Sequence, residues 1–158
     1  MVDDELNDQQ MLALALETAG ITNPLRTVSS GNEAIRYLKG EGKYSDRSLY
    51  PYPGILMTDL KMPQGNGFSV LDYLQKNPEF RIVPTLVWSA SADHDDICKA
   101  YLMGAHAYLQ KPTGFNDLVR LLKSFHDFWV ECEIPQTDES GRILPSQSTG
   151  KLSERYTR

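Results

Sequence analysis

Four short apolar runs in this chain each stop at residues with chemistry to offer, and that recurrence limits the folds open to it. Val2 precedes Asp3-Asp4-Glu5, and Ile55-Leu56-Met57 passes through Thr58 into Asp59. Pro84-Thr85-Leu86-Val87-Trp88 closes on Ser89-Ala90-Ser91, and Ala107-Tyr108-Leu109 leads into Gln110-Lys111-Pro112. Runs this short, separated by stretches of helical spacing, read as buried strands alternating with helices, the pattern of a parallel sheet. Ligands of open parallel sheets sit beyond the carboxyl ends of the strands. The four run ends are therefore expected at one edge.

The intervening stretches fit. Met11, Leu12, Ala15, Leu16 and Ala19 recur at helical spacing before Gly20, a C-terminal stop. Leu25 to Val28 reads as a short strand and Asn32 to Leu38 as a short helix. Phe68, Leu71 and Leu74 line a helix that ends near Asn77-Pro78. Ile97, Tyr101 and Leu102 follow a start rich in caps and acidic residues, Ser91 to Asp96. Leu118, Leu121, Leu122, Phe125 and Trp129 mark the last helix. Residues 39–53 form a long connection carrying Tyr44, Tyr50 and Tyr52, read as a surface loop pinned in part by its tyrosines. Beyond Pro135 the composition turns polar, so residues 1–135 are expected to form one domain and 136–158 a disordered tail.

Brought together, the four run ends hold three carboxylates, a hydroxyl and an ammonium. Clustered carboxylates repel one another and call for a cation, and an all-oxygen donor set suits hard Mg²⁺. With Mg²⁺, Lys111 and the Ser89 hydroxyl neutralising an incoming phosphoryl group, Asp59 becomes a candidate nucleophile. After Asp59 come Pro63, Gly65, Asn66 and Gly67, turn chemistry that presents the carboxylate where a strand gives way to a loop. Each residue also has a plainer reading. Asp3 and Asp4 could simply start a helix, Ser89 could be one more strand-terminal hydroxyl, Tyr108 a core aromatic, and Lys111 a solvated lysine. The combination favours the phosphoryl-accepting site.

At these residues the chain resembles the receiver domain of two-component response regulators. The resemblance runs from Val2 to about Pro135. It is carried by Asp3-Asp4, Asp59 with Met62-Pro63 and Gly67, Ser89-Ala90, Gly104-Ala105, Tyr108 and Lys111-Pro112. It implies a flavodoxin-like α/β fold, a doubly wound five-stranded parallel sheet of order 2-1-3-4-5. It further implies that Asp59 accepts phosphate from a sensor histidine kinase. Asp3, Asp4, Asp59 and the Lys61 backbone carbonyl then form the Mg²⁺ site. Ser89 and Tyr108 act as the switch pair, Lys111 pairs with the phosphate, and the Lys111-Pro112 bond is cis. The loop Lys39-Gly40-Glu41-Gly42-Lys43-Tyr44 and the ending Phe128-Trp129…Ile134-Pro135 resemble the subgroup serving phytochrome-type histidine kinases.

One departure from the family stands out. Only Met1 and Val2 precede the acidic pair, so the first strand is largely missing. Two strand edges are then expected to lie unpaired in the core, which is costly. A longer native chain, or another segment such as Ile143-Leu144, would fill the gap.

The remaining bounds narrow the function. With 158 residues there is room for one full core but no output domain, so the signal is expected to leave through binding. A net charge of −5 argues against a nucleic-acid surface. No run approaches membrane-spanning length and no signal peptide precedes the acidic start, so the expectation is a cytoplasmic protein that avoids membranes. Cys98 and Cys132 are read as free thiols, and His94, His106 and His126 receive no catalytic role. The apolar stripe of the last helix, with Tyr101, offers a face for a homodimer. Two other functions compete with the phosphorylated switch. One is a receiver-like interaction module that takes no phosphate. The other is an aspartyl-phosphate phosphatase, which needs an acid two residues after its nucleophile; Lys61 stands there, so enzymatic turnover is not expected.

Overall fold

The computed structural model describes residues 1–144 and 149–151. Helices α1 (Leu6–Thr18) and α2 (Gly31–Lys39) precede strand β1 (Leu56–Thr58), helix α3 (Gly67–Lys76), β2 (Thr85–Ser89) and α4 (His94–Leu102). Then follow β3 (Ala107–Gln110), α5 (Phe115–Trp129), and the pair β4 (Glu133–Pro135) and β5 (Thr149–Lys151). β1, β2 and β3 pair in parallel, with Met57 opposite Leu86 and Val87 opposite Tyr108. Consecutive parallel strands need crossovers, and α3 and α4 supply them.

Alternation along the strands assigns the two faces. Met57 and Trp88 point toward Leu12 and Ala15 of α1 and Leu118 and Leu122 of α5. Leu56 turns the other way, joining Ala34 and Leu38 of α2 and Val70 and Leu74 of α3. Val87 shares that second face with Leu71 and with Ala100 of α4. Helices on both faces of a parallel sheet make this the doubly wound α/β fold.

The first strand, expected to be largely missing, and the strand expected at Leu25 to Val28 are both present in outline, and the edges beside Val2 are paired rather than open. Val2 bridges Val28 on one side and Thr58 on the other, both in parallel. The Val2 amide donates to the Met57 carbonyl (2.8 Å), and the Asp59 amide donates to the Val2 carbonyl (2.9 Å). Val28 donates to the Met1 carbonyl (3.0 Å), and Asp3 donates to the Val28 carbonyl (3.0 Å). The order is therefore segment 25–28, segment 1–2, β1, β2, β3, which is the 2-1-3-4-5 arrangement. Residues 25–27 form no regular strand, because a partner two residues long offers too few ladder bonds. Upstream of Val2 the sheet opens into a cavity on each face. Leu16, Leu25, Phe125 and Trp129 line one of about 150 Å³, and Leu25, Tyr37, Pro51 and Ile55 line one of about 340 Å³. Met1 borders both. Ile143 does not fill this gap; it bridges Thr137 instead.

Two further expectations are corrected. The Lys111-Pro112 bond is trans, the form that even proline favours modestly, as are the other peptide bonds of the described residues. The tail is ordered over part of its length: β4 and β5 pair antiparallel across a turn at Asp138–Gly141. Asp138 Oδ1 accepts from the Ser140 and Arg142 amides (2.8 and 3.0 Å), so local turn chemistry supplies what the polar composition conceals. Residues 145–148 and 152–158 of the expected tail lie outside the described residues.

The tyrosine-bearing connection is more firmly held than a surface loop needs. Tyr44 and Tyr52 are buried, and the Tyr44 hydroxyl donates to Glu33 (2.6 Å). Arg47 donates to the Tyr37 and Leu38 carbonyls at the end of α2 (2.9 and 2.7 Å), adding to the Gly40 amide that already serves Tyr37.

Candidate functional site

Asp59 sits one residue beyond the end of β1, with only 8 % of its surface exposed. Its two carboxylate oxygens are engaged differently. Oδ1 accepts the Leu60 amide (2.5 Å) and, more weakly, the Lys61 amide (3.4 Å), which fixes the carboxylate against the turning backbone. Oδ2 accepts from Lys111 Nζ (2.9 Å). The loop that follows can bend so sharply because Gly67 lies directly against the Asp59 carbonyl, where a side chain would collide. α3 then starts under an Asn66 cap, whose side chain accepts from the Ser69 amide.

Asp3 is fully buried at the end of the two-residue strand. Its Oδ1 accepts the Glu5 amide (3.0 Å) and its Oδ2 accepts from Lys111 (2.8 Å). Burial raises the Asp3 carboxyl above the usual range, more than the bond from Lys111 lowers it. Asp4 is half-buried one residue further along. A third carboxylate, Asp8 in the first turn of α1, also meets Lys111 Nζ (2.6 Å). Asp8 does not stand out in the sequence. Its only signal is an acidic residue in a helix start, which the helix dipole explains by itself.

Lys111 follows β3, and its amide donates to the Ser89 carbonyl (2.9 Å), continuing the β2–β3 ladder. Its side chain is 14 % exposed and bonds three carboxylates at once. Those bonds hold its pKa well above the ordinary lysine value against the opposing cost of burial. One ammonium does not neutralise three carboxylates, so the pocket keeps a surplus of negative charge.

Ser89 ends β2 and is buried, its hydroxyl within 3.4 Å of the Ser91 amide. Tyr108 on β3 donates its hydroxyl to the Ser91 carbonyl (2.9 Å), so the phenol lies over the loop that follows Ser89. Burial raises the Tyr108 pKa. Lys61 turns its exposed side chain to Asp96 of α4 (3.4 Å), tying the Asp59 loop to the first turn of that helix. Trp88 packs in the core. Asp3, Asp59 and Lys111 thus meet directly, while Ser89 and Tyr108 flank them from the next strands.

Mg²⁺ keeps several waters and takes one or two carboxylates. Asp3, Asp4, Asp59 and the Lys61 carbonyl, the set expected from the sequence, offer oxygen donors of that kind. Among the described residues no group of three or more His, Cys, Asp or Glu side chains is arranged to hold a metal ion, so closed all-side-chain coordination is not available. Among the same residues, no helix is long and apolar enough to cross a membrane.

The family model for the response regulator receiver domain matches residues 1–123. Response regulator Rcp1 of Synechocystis sp. is 28 % identical over 131 residues, covering 83 % of this chain and 87 % of that protein. A solved structure of Rcp1 is described as its Mn²⁺-bound form (26 % identity, TM-score 0.71, covering 85 % and 96 %). The fold also superposes on the response regulator RPA3017, in red light signaling of R. palustris. That match has a TM-score of 0.81 and 33 % identity, covering 86 % of this chain and 96 % of that one.

Proposed function

The chain belongs to the response regulator receiver domain family, and from that premise we propose that Asp59 accepts a phosphoryl group from a sensor histidine kinase of the phytochrome type. The observation that supports this most is the convergence of Asp3, Asp59 and Lys111 at 2.8 and 2.9 Å, at the carboxyl edge of a parallel sheet. Asp59 Oδ2 attacks phosphorus as the bond from phosphorus to the kinase histidine nitrogen breaks, leaving an acyl phosphate and a neutral imidazole. Asp3, Asp4, Asp59 and the Lys61 carbonyl would hold Mg²⁺, which would supply positive charge for the phosphoryl oxygens. Lys111 exchanges a carboxylate for the new phosphate. Ser89 donates its hydroxyl to the phosphoryl group, and Tyr108 leaves the Ser91 carbonyl to follow it. The phosphorylated state signals by shifting a pre-existing equilibrium and so changing partner affinity.

As a receiver the chain is a phosphoacceptor switch, and Lys61 in place of an acid agrees with that. Its own slow acceptance and hydrolysis are self-directed chemistry. The kinase assignment draws on the likeness to Rcp1 and RPA3017, and the free thiols Cys98 and Cys132 suit the cytoplasm. Leu118 and Leu122 of the α5 stripe are taken up by the core, so a homodimer would instead use exposed Tyr101 and Leu102 of α4 and exposed Phe128 of α5. The test is transfer of label from an autophosphorylated phytochrome-type kinase. The label is expected to pass to this chain, to be lost with Asp59→Asn, and to pass poorly from unrelated kinases. Equal transfer from all kinases would remove the phytochrome assignment.

A further inference from the structure

We propose that Asp8 is a positioning residue that restrains Lys111 in the unphosphorylated protein, so that the Asp8–Lys111 pair must open before the ammonium serves a phosphoryl group. The inference rests on Asp59 being the phosphoacceptor. An ammonium has three N–H donors. Here Asp3, Asp8 and Asp59 take all three, at 2.8, 2.6 and 2.9 Å. No donor is left for an incoming phosphoryl oxygen, and at 14 % exposure the side chain has little water to turn to.

One of the three bonds must therefore break, and the carboxylates are not equivalent. Asp3 is also held by the Glu5 amide, and Asp59 by the Leu60 and Lys61 amides. Among the described residues the Asp8 carboxylate accepts a hydrogen bond from Lys111 alone. Its side chain is 38 % exposed, so water can solvate it once Lys111 departs. Asp8 is thus the partner released at least cost. Until then it competes for Lys111, and its charge repels the phosphoryl group. Both effects restrain phosphorylation.

The experiment is the initial rate of phosphorylation by acetyl phosphate at saturating Mg²⁺, read by intact mass for the wild type, Asp8→Asn, Asp8→Ser and Asp8→Glu. Neutral replacement removes a part-exposed ion pair, so the two neutral variants are expected to react about fivefold faster. Asp8→Glu, which restores the carboxylate, is expected to return to the wild-type rate. Thermal unfolding identifies a variant that has not folded, and the second neutral variant then carries the comparison. Neutral variants no faster than wild type, or a glutamate variant as fast as they are, would overturn the role of Asp8 while leaving Asp59 as the acceptor. A wild type that takes no phosphoryl group would overturn both.

Discussion

Burial of Asp3 sets stability against function at a single residue. Its carboxyl is raised above 3.8 because loss of water outweighs the Lys111 bond. A raised carboxyl costs nothing below the unfolded value, where both states are protonated, and weakens the fold as pH rises through the folded value. Asp3→Asn is therefore expected to unfold at higher urea than wild type at pH 7, with the gap closing toward pH 3, while Mg²⁺-dependent phosphorylation falls. A variant that is less stable at pH 7 would show that the ion pair outweighs desolvation. Glu33 runs the opposite way. Lys43 and then Tyr44 hold it at about 2, so its contribution is present above 4.5 and is lost as pH falls through about 2. Glu33→Gln should cost about 1 kcal/mol at neutral pH, chiefly because the bond from the buried Tyr44 hydroxyl then ends on a neutral amide oxygen instead of a carboxylate, and nothing at the acid end. Denaturant unfolding of both proteins across that range checks it. Asp3, Asp59, Ser89 and Lys111 were legible in the sequence because each closes an apolar run. Asp8 was not, since an acidic residue in a first helical turn needs no second explanation.

At the level of elements, the contact between α3 and the Asp59 loop is the most constrained. A methyl group at Gly67 would strike the Asp59 carbonyl, so Gly67→Ala must push the helix start or the loop aside. The expected cost is about 1–3 kcal/mol in urea unfolding, together with slower phosphorylation. A variant of unchanged stability and rate would mean that the contact relaxes freely. The gap beside Met1 gives a second element-scale expectation. Apolar β-branched residues fused ahead of Met1 would extend the two-residue strand between Arg26 and Ile55 and fill both cavities. The urea midpoint should rise, and an unchanged midpoint would mean that the added residues do not pair there. The helices were readable because their apolar spacing spans several turns. Segment 25–28 was readable as extended but not as bridged, because its pairing depends on a partner only two residues long. The β4–β5 pair was hidden, because what holds its turn is the Asp138 side chain and the packing of Gly141 against the Tyr52 ring. Composition reports neither.

At the scale of the whole molecule, sheet order and site come from the same constraint. A parallel doubly wound sheet brings the carboxyl ends of its strands to one edge, so four separated run ends become one pocket. That pocket gathers three carboxylates around one ammonium, and the surplus negative charge is what a divalent cation and a phosphoryl group would rearrange. The measurement closest to that claim is the intact mass of the folded chain after acetyl phosphate, with and without Mg²⁺, beside Asp59→Asn. One phosphoryl group per chain, absent without Mg²⁺ and absent in Asp59→Asn, is the predicted result. A folded wild type that stays unmodified in the presence of Mg²⁺, or an Asp59→Asn chain modified as fully as wild type, would contradict it.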